Sequence, residues 1–360
     1  MRRIVWFEQY SAADRSVLGG KNASLGELTR AGLPVPPGFA VIAAAYAEAI
    51  QSAGLAGELA GLVAAADPAR PETVAEAGRG ARALVTSMPR PDGLDREVRG
   101  AYAELCRRCG TSDVPVAVRS SATCEDLPDA SFAGEHDTYL WVRGADEVLS
   151  HVGRCWASLF TDRAICYRRQ LGYPKTGLAM SVVVQQMVQP RAAGVAFTLN
   201  PHDGDRSQVA IDASWGFGEA VVSGEVNPDH FLVDKLIGEV GRRIVSRKEI
   251  EYRLTAVGQV EQAAIDAARQ EVPCLTDAEI KAVAALARRA ERYFGCPQDV
   301  EWAVDAHLPA PDNIVLLQSR PETVWSRKPP RRPAGDSYMT SIVSTLVAPR
   351  QDRPCAESER

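Results

Sequence analysis

The hydrophobic period of this chain changes once, and that change is the strongest constraint on its fold. Up to about residue 170, apolar residues recur at helical spacing, as with Val148, Val152, Cys155, Trp156 and Leu159. From Ala179 onward they alternate, or run in short blocks bounded by glycine, proline and asparagine. Examples are "AMSVVVQQMV", "AAGVAFTLNP", "SQVAIDASW", "DVEWAVD" and "IVLLQSRPETVW". The expected fold class is α+β: helices first with a mixed sheet, then a strand-rich second half. Three regions follow: 1–178, 179–326, and a basic, proline-rich linker with a mobile tail over 327–360, opening near "SRKPPRRPAGD".

Local signals place the helices. Gly32 stops a helical pattern that begins near Leu25, and Pro34, Pro36 and Pro37 hold the chain extended. Helical stretches then run to about Ala66 and from about Glu72 to Cys109. A helix over 276–294 opens with Thr276 as N-cap and Glu279 three residues on, a capping-box pattern.

The 360 residues allow two or three domains or one large two-lobed unit. A net charge of −5 argues against a nucleic-acid protein, while leaving room for a local basic cleft. Met1-Arg2-Arg3 opens no secretory signal, and no run approaches the ~18 apolar residues of a spanning helix. A cytoplasmic location is expected. The CxxC of Cys106 and Cys109 has no second ligand pair for zinc and sits at a helix C-terminus, so it reads as reduced thiols.

One strand changes character along its length. "VAVRSSATCEDLPDASFAGEHDT" starts with Val116 and Val118, then turns polar and small, with Arg119, Ser120 and Ser121. A guanidinium at a strand end can grip a phosphate with two parallel hydrogen bonds, and the following loop offers N–H donors. The same residues also suit a capped turn after an edge strand. "GGKNAS" is no P-loop: Arg15 and Asn22 stand where that motif needs Gly and Ser or Thr. Its glycines still permit close approach of an anion, or an ordinary turn with Lys21 exposed.

A second polar set lies near the C-terminal end. Gln318 and Arg320 are two apart on one strand, so they share a face, with Leu317 and Ser319 on the other. If Glu301 lies on the adjacent strand, the three cluster. Glu301 and Gln318 would then suit Mg²⁺, and Arg320 a phosphate. A plain Glu301–Arg320 salt bridge fits the spacing equally well. The Gly-rich "SWGFGEAVVSGEVNP" with Glu219 is compatible with a ligand loop or an empty hairpin.

In order along the chain, "LGGKNASLGEL", "GLPVPPGF", "VAVRSSATCEDLPDASFAGEHDTYL", "QQMVQPRAAGVAFTLNP", "ASWGFGEAVVSGEVNPD", "CLTDAEI", "PQDVEWAVD" and "LLQSRPETVW" resemble the ATP-binding part of the phosphoenolpyruvate synthase and pyruvate phosphate dikinase family. The resemblance covers about residues 14–326. It implies a two-lobed ATP-grasp fold closing on ATP and Mg²⁺. It implies that Lys21 and Arg119 contact the phosphates and that Gly134 to Thr138 form a covering flap. Gln185, Met187 and Val188 would line the adenine pocket, with Glu219 also at the nucleotide. Glu301 and Gln318 would hold Mg²⁺, and Arg320 would stabilise transferring phosphates.

The family passes phosphate through a histidine in a Gly-Gly-x-Thr-Ser-His-like motif. None of His136, His151, His202, His230 and His307 lies in one. "DAHLPAPDNI" is also longer than the family's usual turn between its last two strands. The resemblance therefore implies one subunit of a split dikinase, with the phosphohistidine and the small-molecule acceptor site on a partner, a layout similar to phenylphosphate synthase. A phosphoenolpyruvate synthase-like system and a rifamycin phosphotransferase-like domain are the neighbouring readings. An ATP-sensing module without transfer is the alternative from another class. No nucleic-acid or membrane partner is expected.

Overall fold

The computed structural model of the protein describes residues 2–10, 15–122, 126–127, 130–131, 138–170, 180–255 and 258–325. Gly134, most of the expected flap and the 327–360 tail lie outside the described residues. Helices and sheets are segregated, so the α+β expectation holds. No described helix is long and apolar enough to cross a membrane.

The first sheet contains β1 (Ile4–Trp6), β2 (Gly38–Val41), β3 (Val116–Ala122), β6 (Thr138–Val142) and β7 (Met180–Gln186). Its order is β1-β2-β7-β3-β6. Every pairing within it is antiparallel, so the expected mixed sheet is not found. Between β3 and β6, β4 (Asp126–Leu127) and β5 (Ala130–Ser131) form a separate two-stranded pair.

One face of this sheet, with Phe39, Val41, Val116, Val118, Val182 and Val184, is buried under helices. These include α2 (Ala43–Ser52), α3 (Ala56–Ala65), α4 (Pro71–Ser87), α5 (Leu94–Arg108) and α6 (Ala145–Ala157). Two stretches that read as continuous helix are each broken in two. Gly54, at φ 68, separates α2 from α3. Pro89 and Pro91, which cannot continue a helix, separate α4 from α5. α7 (Asp162–Gln170) follows α6.

The second sheet runs β11-β10-β9-β8-β14-β15 and is also antiparallel throughout. Its strands are β8 (Pro190–Phe197), β9 (Gln208–Trp215), β10 (Asp229–Asp234), β11 (Val240–Ile244), β14 (Gln298–Asp305) and β15 (Ile314–Pro321). The long α10 (Asp277–Phe294) buries Ile280, Val283, Ala284, Ala287 and Ala290 against Ile211, Phe231, Val300 and Trp302. Its capping box is present as expected: Thr276 accepts from the Glu279 N–H, and Glu279 accepts from the Thr276 N–H. Gly295 closes the helix in the left-handed region, at φ 72. β12 (Ile250–Leu254) and β13 (Val260–Ala264) form a separate hairpin.

β7 lies at the centre of the first sheet, so the change of sheet comes after Gln186 and not at the expected 178/179 boundary. The helix α1 (Arg15–Arg30) ties the two sheets together. Its regular turns begin after Gly19, whose φ of 73 and ψ of 167 break the helix. Leu18 and Leu25 pack with Ala40 and Val183 of the first sheet, and Leu28 joins the second core. Asn22 is fully buried and donates to Ser181 Oγ on β7 at 2.8 Å and to Leu18 O at 3.1 Å. Ser24 donates to the Ser319 carbonyl on β15.

Candidate functional site

The face of the first sheet that meets α1 carries Ser181, Val183 and Gln185, opposite Ser121, Arg119 and Ala117. Directly paired residues on an antiparallel ladder share a face. Arg119 is not at a strand end. It sits mid-strand, flanked by β7 and β6, opposite Val183 and the exposed Thr138. An interior strand also removes the edge-strand reading. Lys21 Nζ donates to the Ser120 carbonyl at 3.1 Å, beside Arg119. Arg119 Nη1 reaches the Leu317 carbonyl at 3.5 Å, across to the second sheet. Arg119 Nε is buried and, among the described residues, has no hydrogen-bond partner.

On the second sheet Glu301 is directly opposite Gln318, and Asp299 directly opposite Arg320. The long connection over 306–313 leaves this hairpin intact. The salt bridge on this face is Arg320 Nε to Asp299 Oδ2 at 3.4 Å; the partner is Asp299, not Glu301. Asp299 Oδ1 is buried without a partner among the described residues. Burial pushes the Asp299 carboxyl up to about 6; Arg320 opposes the shift, while Glu322 and Glu301 add to it. This residue escaped the sequence reading, although its i,i+2 spacing from Glu301 was a usable signal.

Between Glu301 and Trp302 the register slips, because Trp302 pairs with Leu316 and leaves Leu317 extra. This β-bulge corrects the expected position of Leu317, which packs on the same face as Gln318. There it meets Val188, Ala193, Ala303 and Val315 in an apolar cluster next to the polar set.

The other expected contacts spread around that cluster. Val188 is buried within it. Met187 is half-buried and its N–H donates to the Pro115 carbonyl at 2.8 Å. Gln185 is buried, with Nε2 donating to the Pro36 carbonyl at 3.3 Å, so its amide nitrogen is engaged by backbone. Glu219 opens the short α8 (Glu219–Val222), beside β8. Partial burial and then the Glu225 charge raise its carboxyl above the ordinary range.

Trp141 was not anticipated. Its φ of 59 is left-handed, which bulky side chains rarely adopt. It lies at a register shift of the β3–β6 ladder and its ring meets Phe217 edge-on at 6.1 Å. A bulge here re-aims the indole from the first sheet toward the segment that leads into α8.

The donor set suits a hard cation together with phosphates. Asp299, Glu301 and Gln318 offer oxygens, and Asp299 Oδ1 has no hydrogen-bond partner among the described residues. Among the described residues no group of three or more His, Cys, Asp and Glu is arranged to hold a metal. Mg²⁺ commonly takes one or two carboxylates and completes its shell with phosphate oxygens and water. The unpaired Arg119 Nε equally suits an anion.

The chain matches the family described as pyruvate phosphate dikinase, AMP/ATP-binding domain, over residues 15–340. It is 42% identical over 347 residues to a probable phosphoenolpyruvate synthase of Staphylothermus marinus, covering 90% of this chain and 42% of that protein. It is 40% identical to the phosphoenolpyruvate synthase of Aeropyrum pernix, covering 91% of this chain and 43% of the relative. A rifampicin phosphotransferase of a Streptomyces species is 42% identical, covering 92% of this chain and 37% of the relative. The chain thus spans less than half the length of these relatives. With the family match running through nearly all the described residues, this chain belongs to the pyruvate phosphate dikinase AMP/ATP-binding domain family.

Proposed function

We propose that the chain is a two-lobed ATP-grasp unit that binds Mg-ATP between its sheets and transfers the pyrophosphoryl group to a histidine on a partner subunit. One observation carries the reading: Lys21, Arg119 and β15 converge from three elements, and two buried polar atoms there, Arg119 Nε and Asp299 Oδ1, lack partners among the described residues.

In this reading Lys21 and Arg119 hold the triphosphate, and Arg320 balances charge on the group in transit. Glu301 and Gln318 hold Mg²⁺, with Asp299 beside them. When bound, the ion would supply neutralisation of phosphate charge. Val188 and Met187 flank the adenine, with Gln185 behind them and Glu219 toward the ribose side. A histidine nitrogen of the partner attacks the β-phosphorus as the bond to the α-phosphate oxygen breaks, and AMP leaves. The side chains contribute positioning and charge neutralisation, which is most of what phosphoryl transfer requires. Water or inorganic phosphate takes the γ-phosphoryl group away, and the β-phosphoryl group left on the histidine passes to a small acceptor of the phenol or pyruvate class. The similarity to a rifampicin phosphotransferase adds an antibiotic hydroxyl as a further acceptor to screen.

The test is incubation with Mg²⁺ and ATP labelled separately at the β and γ positions, with and without the product of the neighbouring gene. Acid-labile β-label on the partner is the expected result. Tight ATP binding with no label on any partner favours the sensing module. Absence of ATP binding overturns the site.

A further inference from the structure

The cleft face of the second sheet continues past the nucleotide site. A single cross-strand row runs Gln318, Glu301, Val195, Asp212, His230 and Ile244. His230 lies three strand spacings from Glu301, about 14 Å at about 4.8 Å each. A cavity of about 650 Å³ opens at this end. Its lining includes His202, His230, Arg242, Ser246, Arg247 and Asn227.

We propose that this cavity is a second anion site, for a phosphate or phosphate monoester, separate from the nucleotide and not dependent on that reading. His230 Nδ1 is 2.7 Å from Asp212 Oδ1. An ionised carboxylate only accepts, so Nδ1 donates to Asp212, and in the neutral ring Nε2 is an acceptor for the P–OH of a singly protonated phosphate. The His202 ring stands edge-on to it at 6.0 Å. Arg242 is opposite Leu232 on the ladder, on the His230 face, and has no hydrogen bond or ion pair among the described residues. Arg247 is held by Gln270 Oε1 at 2.9 Å and also faces Glu249 at 3.4 Å.

Beneath the cavity the backbone is rigidly tied. The buried Asp229 carboxylate accepts from Ser246 N at 3.0 Å, Lys248 Nζ at 2.6 Å and Cys274 N at 2.8 Å. The carboxylate in the lining, Asp203, caps its own turn by accepting from Asp205 N at 2.9 Å. Asp212, behind the wall, is committed to His230. The Arg242 guanidinium fork, two imidazoles, a hydroxyl and an amide remain to meet the anion, with Arg247 adding positive charge beside them. The volume suits a small molecule, not a polymer.

The experiment is equilibrium dialysis of labelled inorganic phosphate against the full chain, held saturated with Mg²⁺ and a non-hydrolysable ATP analogue. Analogue binding is measured separately, so failure of the nucleotide site and failure of this one are distinguishable. One saturable phosphate per chain is expected. Arg242→Gln and His230→Gln should each weaken it by about tenfold or more, the loss of one charged hydrogen bond, and leave analogue affinity unchanged. Arg242 is exposed, so its replacement spares the fold. Displacement by glycerol 3-phosphate identifies a monoester site, and resistance to it identifies a free-phosphate site. No saturable binding, or binding indifferent to both substitutions, overturns the proposal.

Discussion

Glu301 stands directly opposite Gln318 on the β14–β15 ladder, at the last regular pair before the bulge at Leu317. A carboxylate and an amide on paired residues form one oxygen-rich unit. In the proposed mechanism, Glu301→Gln removes the charge while keeping size. Transfer of β-label should fall by roughly 10²-fold or more. Tm should stay within about 3 °C, because no buried apolar group is lost. Exchanging the pair, Glu301→Gln with Gln318→Glu, should recover part of the activity. A double-mutant cycle on single-turnover rates checks this.

Asp299 sets a pH dependence of opposite sign to an ordinary salt-bridged carboxylate. Its folded value is raised to about 6 from 3.8. Between these values the folded state holds the extra proton, so stability falls as pH rises. The cost is complete above about 6 and is absent below the unfolded value. Asp299→Asn, which mimics the protonated form, should therefore gain on the native chain at pH 7 and not at pH 4. The gain is about 1–3 kcal/mol, read by urea unfolding at both pH values. Mg-nucleotide affinity of the native chain should rise through pH 6 as Asp299 ionises. An affinity flat across that range would remove Asp299 from the metal site.

Arg119 carries a buried nitrogen, Nε, with no hydrogen-bond partner among the described residues. Arg119→Met keeps the aliphatic stem and removes that desolvated group, so Tm should not fall. Nucleotide affinity should fall by about ten- to a hundredfold, the scale of one or two charge-assisted hydrogen bonds. Calorimetric titration with Mg-ATP alongside thermal melting separates the two effects. A lowered Tm with unchanged affinity would assign Arg119 to structure alone.

Trp141 combines a left-handed backbone with an edge-on contact to Phe217. A left-handed non-glycine residue costs about 1–3 kcal/mol, and an aromatic pair returns about 0.5–1.5 kcal/mol. Trp141→Gly trades one for the other, so stability should stay within about 1 kcal/mol of native. Trp141→Val loses the contact and keeps the strain in a β-branched residue, so it should lose about 2–3 kcal/mol. Chemical denaturation of both variants gives the comparison; equal loss in both would show that the backbone at this position is not strained.

The features legible in the sequence were those written locally. The α10 helix was readable over 276–294, since Thr276 and Glu279 form its capping box. The last two strands and the residues on them were readable from period and composition. Lys21, Arg119, Glu301, Gln318 and Arg320 were singled out on chemistry before any neighbour was known. What the sequence determined by itself was therefore element type and the chemical character of the candidate residues, because caps, turns and periodicity act over a few residues.

Only the tertiary structure decided which strands are neighbours and in what phase. β7 lies in the first sheet, between β2 and β3, although β8, the next strand along the chain, lies in the second. The bulge turns Leu317 onto the Gln318 face, and Asp299 takes Arg320 as its partner. Asn22 and Ser24 bring α1 against both sheets, and so bring Lys21 to Arg119. Each of these is a long-range choice. Register follows from which faces bury together, and a one-residue slip moves every side chain to the opposite side. No local signal encodes it, because its energy arises only when segments far apart in the chain meet and exclude water.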